Sequence, residues 1–451
     1  MPTQIANFDF YQLQYDTNGN LADSTQLTAL TAAAQNATDV ALIAHGFRND
    51  ENDATSLYTH FLTSLRTQLA RPELQSVAAR KLIFAGVYWP SKAYPESWTN
   101  ATPGTGTVQD IDATGSALAT AKAQLEELQR DATQEQKHVL AEAIDLLPAL
   151  DTDPALQDRF ATLVLSILAP ADDLADPTEG LGLIRSTPGS DLLRMLKRPL
   201  LAPIARGAAV SNVEDFDNFN GGPSGTGSVQ DLGSIFDSVL GAAGKLANLA
   251  TWYQMKSRSG LVGETGVARA IRALKASPLN VKVHLIGHSL GGRLMAACGR
   301  ALTQAPAVHP DSMSLLEAAF SHFGFSPNNG QGQVGFFRDV IGKKIVTGPI
   351  IETFSAQDTV VGYVYAIASR LANDNVKAIG DATDPFGGIG RNGAQATPES
   401  TSEILHDCGT PYSFRKGIVN NLDGSGGLIT SHGDVTNDRV TYAVANAVAA
   451  T

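Results

Sequence analysis

The sequence predicts an α/β protein with a mostly parallel central sheet flanked by helices, on three observations. Short continuous apolar runs, DVALIA at 39–44 and KLIFAGVYW at 81–89, have the length and composition of strands buried on both faces of a parallel sheet. Stretches of helical spacing separate these runs and follow them, as a doubly wound architecture requires. Glycine is abundant, at 42 residues, which suits a fold with many tight strand-to-helix turns.

Taken in order, residues 4–15 alternate and read as an edge strand. The run at 39–44 stops at His45-Gly46, and 53–69 follows with Leu57, Phe61, Leu62, Leu65 and Leu69 on one helical face. The strand at 81–89 comes next. The pattern then changes: residues 100–244 hold few strand-like runs, and 117–147, 156–168 and 191–201 read as helices. The stretch ends in a Gly/Ser/Asn-rich segment, 218–228, of linker composition. The α/β pattern resumes with helices at 246–258 and 264–275 and a strand at 281–286. A helix at 291–302, strands at 312–320 and 344–354, a helix at 360–371 and a last helix at 437–449 complete it. The division expected is a catalytic α/β core over 1–99 and 245–451, with a mainly helical insertion or cap at 100–244. No internal repeat with a period of about 20–50 residues is present.

Composition narrows the function. The formal net charge of −12, with no dense Lys/Arg cluster, argues against nucleic acid and anionic membranes. Two cysteines, Cys298 and Cys408, cannot build a disulfide framework or a cysteine-based zinc site, although one optional disulfide stays open. Residues 1–15 lack the basic and apolar regions of a signal peptide, and no apolar run approaches the ~20 residues of a transmembrane helix. A cytoplasmic location without an integral membrane segment is the expectation, and signal-independent export is compatible with it. The acidic stretch Asp215-Phe216-Asp217-Asn218-Phe219-Asn220 lacks the closing glutamate of a calcium loop, and Gly225-Thr226-Gly227 lacks the Lys-Ser/Thr of a phosphate cradle. There is no H-E-x-x-H, and nothing in the sequence calls for a metal or a cofactor.

One motif carries chemistry. Gly287-His288-Ser289-Leu290-Gly291 is a G-x-S-x-G placed after the apolar run VKVHLI and before an apolar helix with Leu294, Ala297 and Leu302. That is the strand–turn–helix context of a nucleophile elbow, where flanking glycines avoid clashes in a very sharp turn. The competing reading is a structural turn that happens to hold a serine. A serine hydroxyl needs a base. His432, in the polar loop Thr430-Ser431-His432-Gly433-Asp434 before the last helix, is the candidate, and His406 is its rival. The group that orients the imidazole is assigned to Asp358, just after the strand at 344–354, with Asp381 and Asp384 as alternatives. Asp358 also suits an N-cap, and the two roles are compatible. The oxyanion donors expected are the backbone N–H of Leu290 and that of Phe47, in the loop Ala44-His45-Gly46-Phe47, where Gly46 permits close approach. His45 and His288 are expected to make structural hydrogen bonds near the site.

This set, HGF after an early strand, GHSLGG at the elbow, an Asp after a late strand and a His before the last helix, resembles the α/β-hydrolase superfamily in its lipase- and esterase-like branch. The resemblance covers residues 1–99 and 245–451. It implies an α/β-hydrolase fold, the triad Ser289, Asp358 and His432, and a small-molecule or lipid ester as substrate. A phospholipase, thioesterase or serine peptidase would use the same parts. A catalytically silent α/β-hydrolase scaffold that binds a ligand or partner, or a lipid-surface binder, is the reading from another class. The oligomeric state is unknown from sequence. The insertion's apolar faces (Leu146, Leu147, Leu150; Leu163, Leu165, Leu168) mostly read as packing surfaces, with an acyl pocket under a lid as a further possibility.

Overall fold

Among the described residues, nine strands form one sheet in the order β1-β2-β4-β3-β5-β6-β7-β9-β8. The strands are β1 (Thr3–Ile5), β2 (Phe8–Gln14), β3 (Asp39–Ala44), β4 (Leu82–Tyr88), β5 (Lys282–His288), β6 (Ser312–Leu316), β7 (Ile350–Phe354), β8 (Ser400–Ile404) and β9 (Val419–Asp423). Only β1 and β2 pair antiparallel; every other pairing is parallel. This computed structural model describes residues 2–91, 113–130, 132–168, 176–197, 238–276, 279–372, 382 and 384–451. The sequence's fold class is observed: a mixed α/β molecule with a mostly parallel sheet flanked by helices.

The apolar runs form strands because both of their faces are covered. In β3, Val40, Leu42 and Ala44 enter one core cluster, and Ala41 and Ile43 enter a second on the opposite face. The second cluster is closed by helices Glu51–Leu69 and Asp438–Ala449. The first is larger. It takes in the elbow helix Leu290–Leu302, the long helix Val239–Leu261 and the insertion helices Ala113–Arg130, Gln134–Leu146, Pro154–Ser166, Leu181–Ser186 and Gly189–Lys197. Leu147, Leu150, Leu165 and Leu168 are buried in that cluster, with Leu146 and Leu163 packed against it. Among the described residues no helix is long and apolar enough to cross a membrane.

Several expectations change in detail. Residues 4–15 form two strands, because Ala6 and Asn7 take left-handed φ values of 49° and 62° and reverse the chain. The single helix expected at 117–147 is two, with a capping box at Thr133 and Gln136 starting the second. The helix expected from 246 starts at Val239, and it runs through a π-helical turn, Val262–Val267, into Ala268–Leu274. The strand expected at 344–354 is only Ile350–Phe354, and Lys344 is left-handed at φ 49°. The strand expected at 312–320 stops at Leu316. Strands β8 and β9 had no expectation. The linker at 218–228, the acidic stretch at 215–220 and Asp381 lie outside the described residues. Cys298 and Cys408 are both free.

Candidate active site

Ser289 sits at the carboxyl end of β5, with the segments that follow β3 and β6 against it. β5 ends at His288 and the elbow helix begins at Leu290, so Ser289 is the whole turn. Its backbone is at φ 57° and ψ −125°, a conformation that residues with a Cβ rarely adopt. The turn is held by four backbone bonds: Ser289 N–H donates to Leu316 O (3.0 Å), and Ser289 O accepts from Gly292 (2.9 Å), Arg293 (3.3 Å) and Ala319 (3.0 Å). The glycines are required by backbone on every side. A Cβ at Gly287 would lie 2.3 Å from Gly291 O, and one at Gly291 would lie 2.3 Å from Ala44 O and 2.5 Å from His45 O. Such a Cβ has nothing flexible to displace.

The loop after β3 passes directly over the serine. A Cβ at Gly46 would sit 2.8 Å from Ser289 Cβ and 3.3 Å from both Ser289 Oγ and His288 Nδ1. His45 fixes this loop. Its Nε2 accepts from Trp89 N–H (3.4 Å), its Nδ1 donates to Gly46 O (3.0 Å), its carbonyl accepts from Trp89 Nε1–H (3.0 Å), and its ring stacks on Trp89. Burial lowers its pKa to about 4, so the ring is neutral at pH 7. Phe47 follows, with its ring edge-on to Trp252 of the long helix at 5.7 Å. The N–H groups of Phe47 and of Leu290, the first helical residue, have no acceptor among the described residues.

His432 and Asp358 meet. His432 Nδ1 is 2.8 Å from Asp358 Oδ2, and Asp358 is fully buried. The other oxygen of Asp358 accepts the Val361 N–H at 2.9 Å, so one carboxylate caps the helix Thr359–Ala372 and holds the histidine. With Nδ1 occupied, the lone pair of a neutral His432 is on Nε2, as a general base needs. His288 sits between the two halves of the site. Its Nε2 donates to His432 O at 2.8 Å and the two rings are 4.8 Å apart. Burial, with His432 nearby, lowers the His288 pKa to about 3, so this ring too is neutral. The Ser289 hydroxyl makes no hydrogen bond among the described residues. Its link to His432 runs through His288 and the shared sheet edge.

The rivals sit elsewhere. His406 stacks on Tyr412 at 4.2 Å and lies 3.3 Å from Glu403. Asp358, not Asp384, carries the bond to His432. One residue escaped the sequence reading: Glu317, immediately after β6 and fully buried, with Oε2 at 3.9 Å from His432 Nδ1. An acidic residue at the carboxyl end of the strand beside the elbow strand was the available signal. Among the described residues, His288, Glu317 and His432 have ligating atoms within 4.8 Å of one another. Two of the ring nitrogens of this group are already engaged, His432 Nδ1 by Asp358 and His288 Nε2 by His432 O. A cavity of about 260 Å³ is lined by Asp176, Glu179, Tyr253, Lys256 and Arg293, and neither Ser289 nor His432 borders it.

No family model, no curated protein and no solved structure matches this chain.

Proposed function

We propose that the chain is a serine hydrolase of the α/β-hydrolase type that cleaves carboxylic esters through an acyl-enzyme. The observation that carries this reading is the 2.8 Å contact between His432 Nδ1 and Asp358 Oδ2 on the edge where the strained Ser289 elbow ends β5. The strand order supports it: nucleophile, acid and histidine follow the parallel strands β5, β7 and β9 in turn, in the chain order Ser…Asp…His of that superfamily.

In this reading Ser289 Oγ attacks the acyl carbon while His432 Nε2 takes its proton and returns it to the leaving alkoxide. Asp358 holds the ring and stabilises its charged form. The N–H groups of Leu290 and Phe47 bind the oxyanion in this reading, and losing one such donor costs about 10²–10³ in kcat. Water activated by His432 then releases the acid. The missing Ser289–His432 hydrogen bond is the kind that tightens when substrate binds. Phospholipase, thioesterase and peptidase activities use the same groups.

The test is intact-mass detection of a fluorophosphonate adduct. We expect one adduct, mapped to Ser289 and absent in Ser289→Ala. A folded wild-type protein that takes no adduct sinks the proposal and favours a silent scaffold.

A further inference from the structure

Glu317 occupies a costly position. It follows β6 at φ 43°, a left-handed backbone that glycine or asparagine takes more readily. The sheet holds it there: Glu317 N–H donates to Thr353 O at 2.9 Å, and a Cβ at Gly390 would fall 2.7 Å from Glu317 Cα. The result is a fully buried carboxylate directed at the same nitrogen of His432 that Asp358 binds, at 3.9 Å against 2.8 Å.

Among the other charged or titratable groups nearby, Arg391 is buried beside Gly390 and its Nη1 donates to Asp358 O at 2.9 Å. His288 is neutral for the reason given above. Burial, with the Asp358 charge adding to the effect, pushes the pKa of Glu352, on β7, well above its usual value. One of its oxygens accepts the Ala318 N–H at 3.3 Å. Asp434, in the loop of His432, is engaged by the Thr430 N–H and hydroxyl, each at 3.0 Å.

We propose that Glu317 is a second positioning carboxylate for His432: it shares with Asp358 the stabilisation of the protonated ring, and it holds the Nδ1–H when Asp358 is removed. This rests on the hydrolase reading for its catalytic meaning, though not for the pairing itself. A carboxylate beside an imidazolium raises the histidine's pKa. Removing its charge therefore lowers that pKa and moves the acid limb of the kcat/KM profile to lower pH.

The experiment uses the full chain, a chromogenic short-chain ester and four variants: Glu317→Gln, Glu317→Met, Asp358→Asn and the Asp358→Asn/Glu317→Gln double. Glu317→Gln and Glu317→Met are expected to shift the acid limb down by about one pH unit. Loss of a triad acid with no substitute costs about 10⁴ in kcat. Asp358→Asn is expected to lose about 10², and the double variant the full ~10⁴. An unmoved acid limb, with Asp358→Asn losing the same ~10⁴ whether or not Glu317 is present, overturns the proposal. A parallel NMR titration of the His432 ring separates the two readings. If Ser289 takes no fluorophosphonate but His432 titrates lower in Glu317→Gln, the hydrolase reading falls and the pairing stands. A titration that Glu317→Gln leaves unmoved overturns the pairing regardless of activity.

Discussion

Ser289 shows how a single residue stores strain at a functional position. Its φ of 57° is imposed by bonds to Leu316, Gly292 and Ala319, all from backbone, so the turn cannot relax without moving two strands. Because the cost comes from the Cβ, Ser289→Gly should be more stable than Ser289→Ala by about 1–2 kcal/mol, although both remove the hydroxyl. At an ordinary helix position the order is reversed, with Ala more stable than Gly by about 1 kcal/mol. Urea unfolding of the two variants measures the difference, and equal midpoints would mean that the elbow carries no strain.

At the scale of elements, the site depends on how closely the elbow helix crosses the β3 loop. Gly291 and Gly299 lie on that same helix and make opposite demands. A Cβ at Gly291 meets main-chain atoms of Ala44 and His45, the nearest at 2.3 Å, whereas one at Gly299 meets Met313 Cε at 3.0 Å, the end of a flexible side chain, with Val340 at 3.4 Å. We expect Gly291→Ala to cost about 1–3 kcal/mol through overpacking. By displacing the Phe47 loop it should also slow fluorophosphonate labelling. Gly299→Ala should be close to neutral, since the better helix propensity of Ala offsets a small shift of Met313. Thermal unfolding and labelling rates of both variants check this, and the expectation fails if Gly299→Ala proves the more damaging. The elbow was legible in the sequence because its turn chemistry is local. β8 and β9 were not: β8 is Ser-Thr-Ser-Glu-Ile on the sheet edge and β9 is Val-Asn-Asn-Leu-Asp. Asn420 and Asn421 are buried among hydrogen bonds to Ile350, Arg415 and Ala394. Polar strands satisfied by distant backbone leave no apolar run to read.

Across the whole molecule, the insertion is tied to the core behind the elbow by a buried polar knot. Lys256 of the long helix pairs with Glu179 of the insertion and donates to the Tyr365 hydroxyl at 2.6 Å, and Tyr253 donates to Glu179 O at 3.1 Å. The Ser321 N–H donates to Glu179 Oε1 at 3.2 Å. Burial lowers the Lys256 pKa to about 8, although Glu179 favours its charge. Removing one partner leaves the other charge buried, so Lys256→Met should destabilise the protein by about 3–5 kcal/mol. The double variant Lys256→Met/Glu179→Met should regain most of that loss, because two apolar side chains of similar size need no compensation. Calorimetry of both variants decides it: a double variant as unstable as the single would show that the knot contributes by shape rather than by charge.

By itself the sequence determined the mostly parallel α/β class, the turn at 287–291, helices within 113–197 and the identity of Ser289, Asp358 and His432 as candidates. These follow from local rules, namely apolar runs, turn glycines and chain order, which act over a few residues at a time. Tertiary structure alone decided that Asp358 rather than Asp384 meets His432, that His406 stacks on Tyr412 instead, and that Glu317 joins the site. Those outcomes depend on the register of β6, β7 and β9, whose carboxyl ends bring residues 317, 358 and 432 together across more than a hundred positions of chain. No local pattern reports such a distance, because it is set by the packing of a sheet covered on both faces.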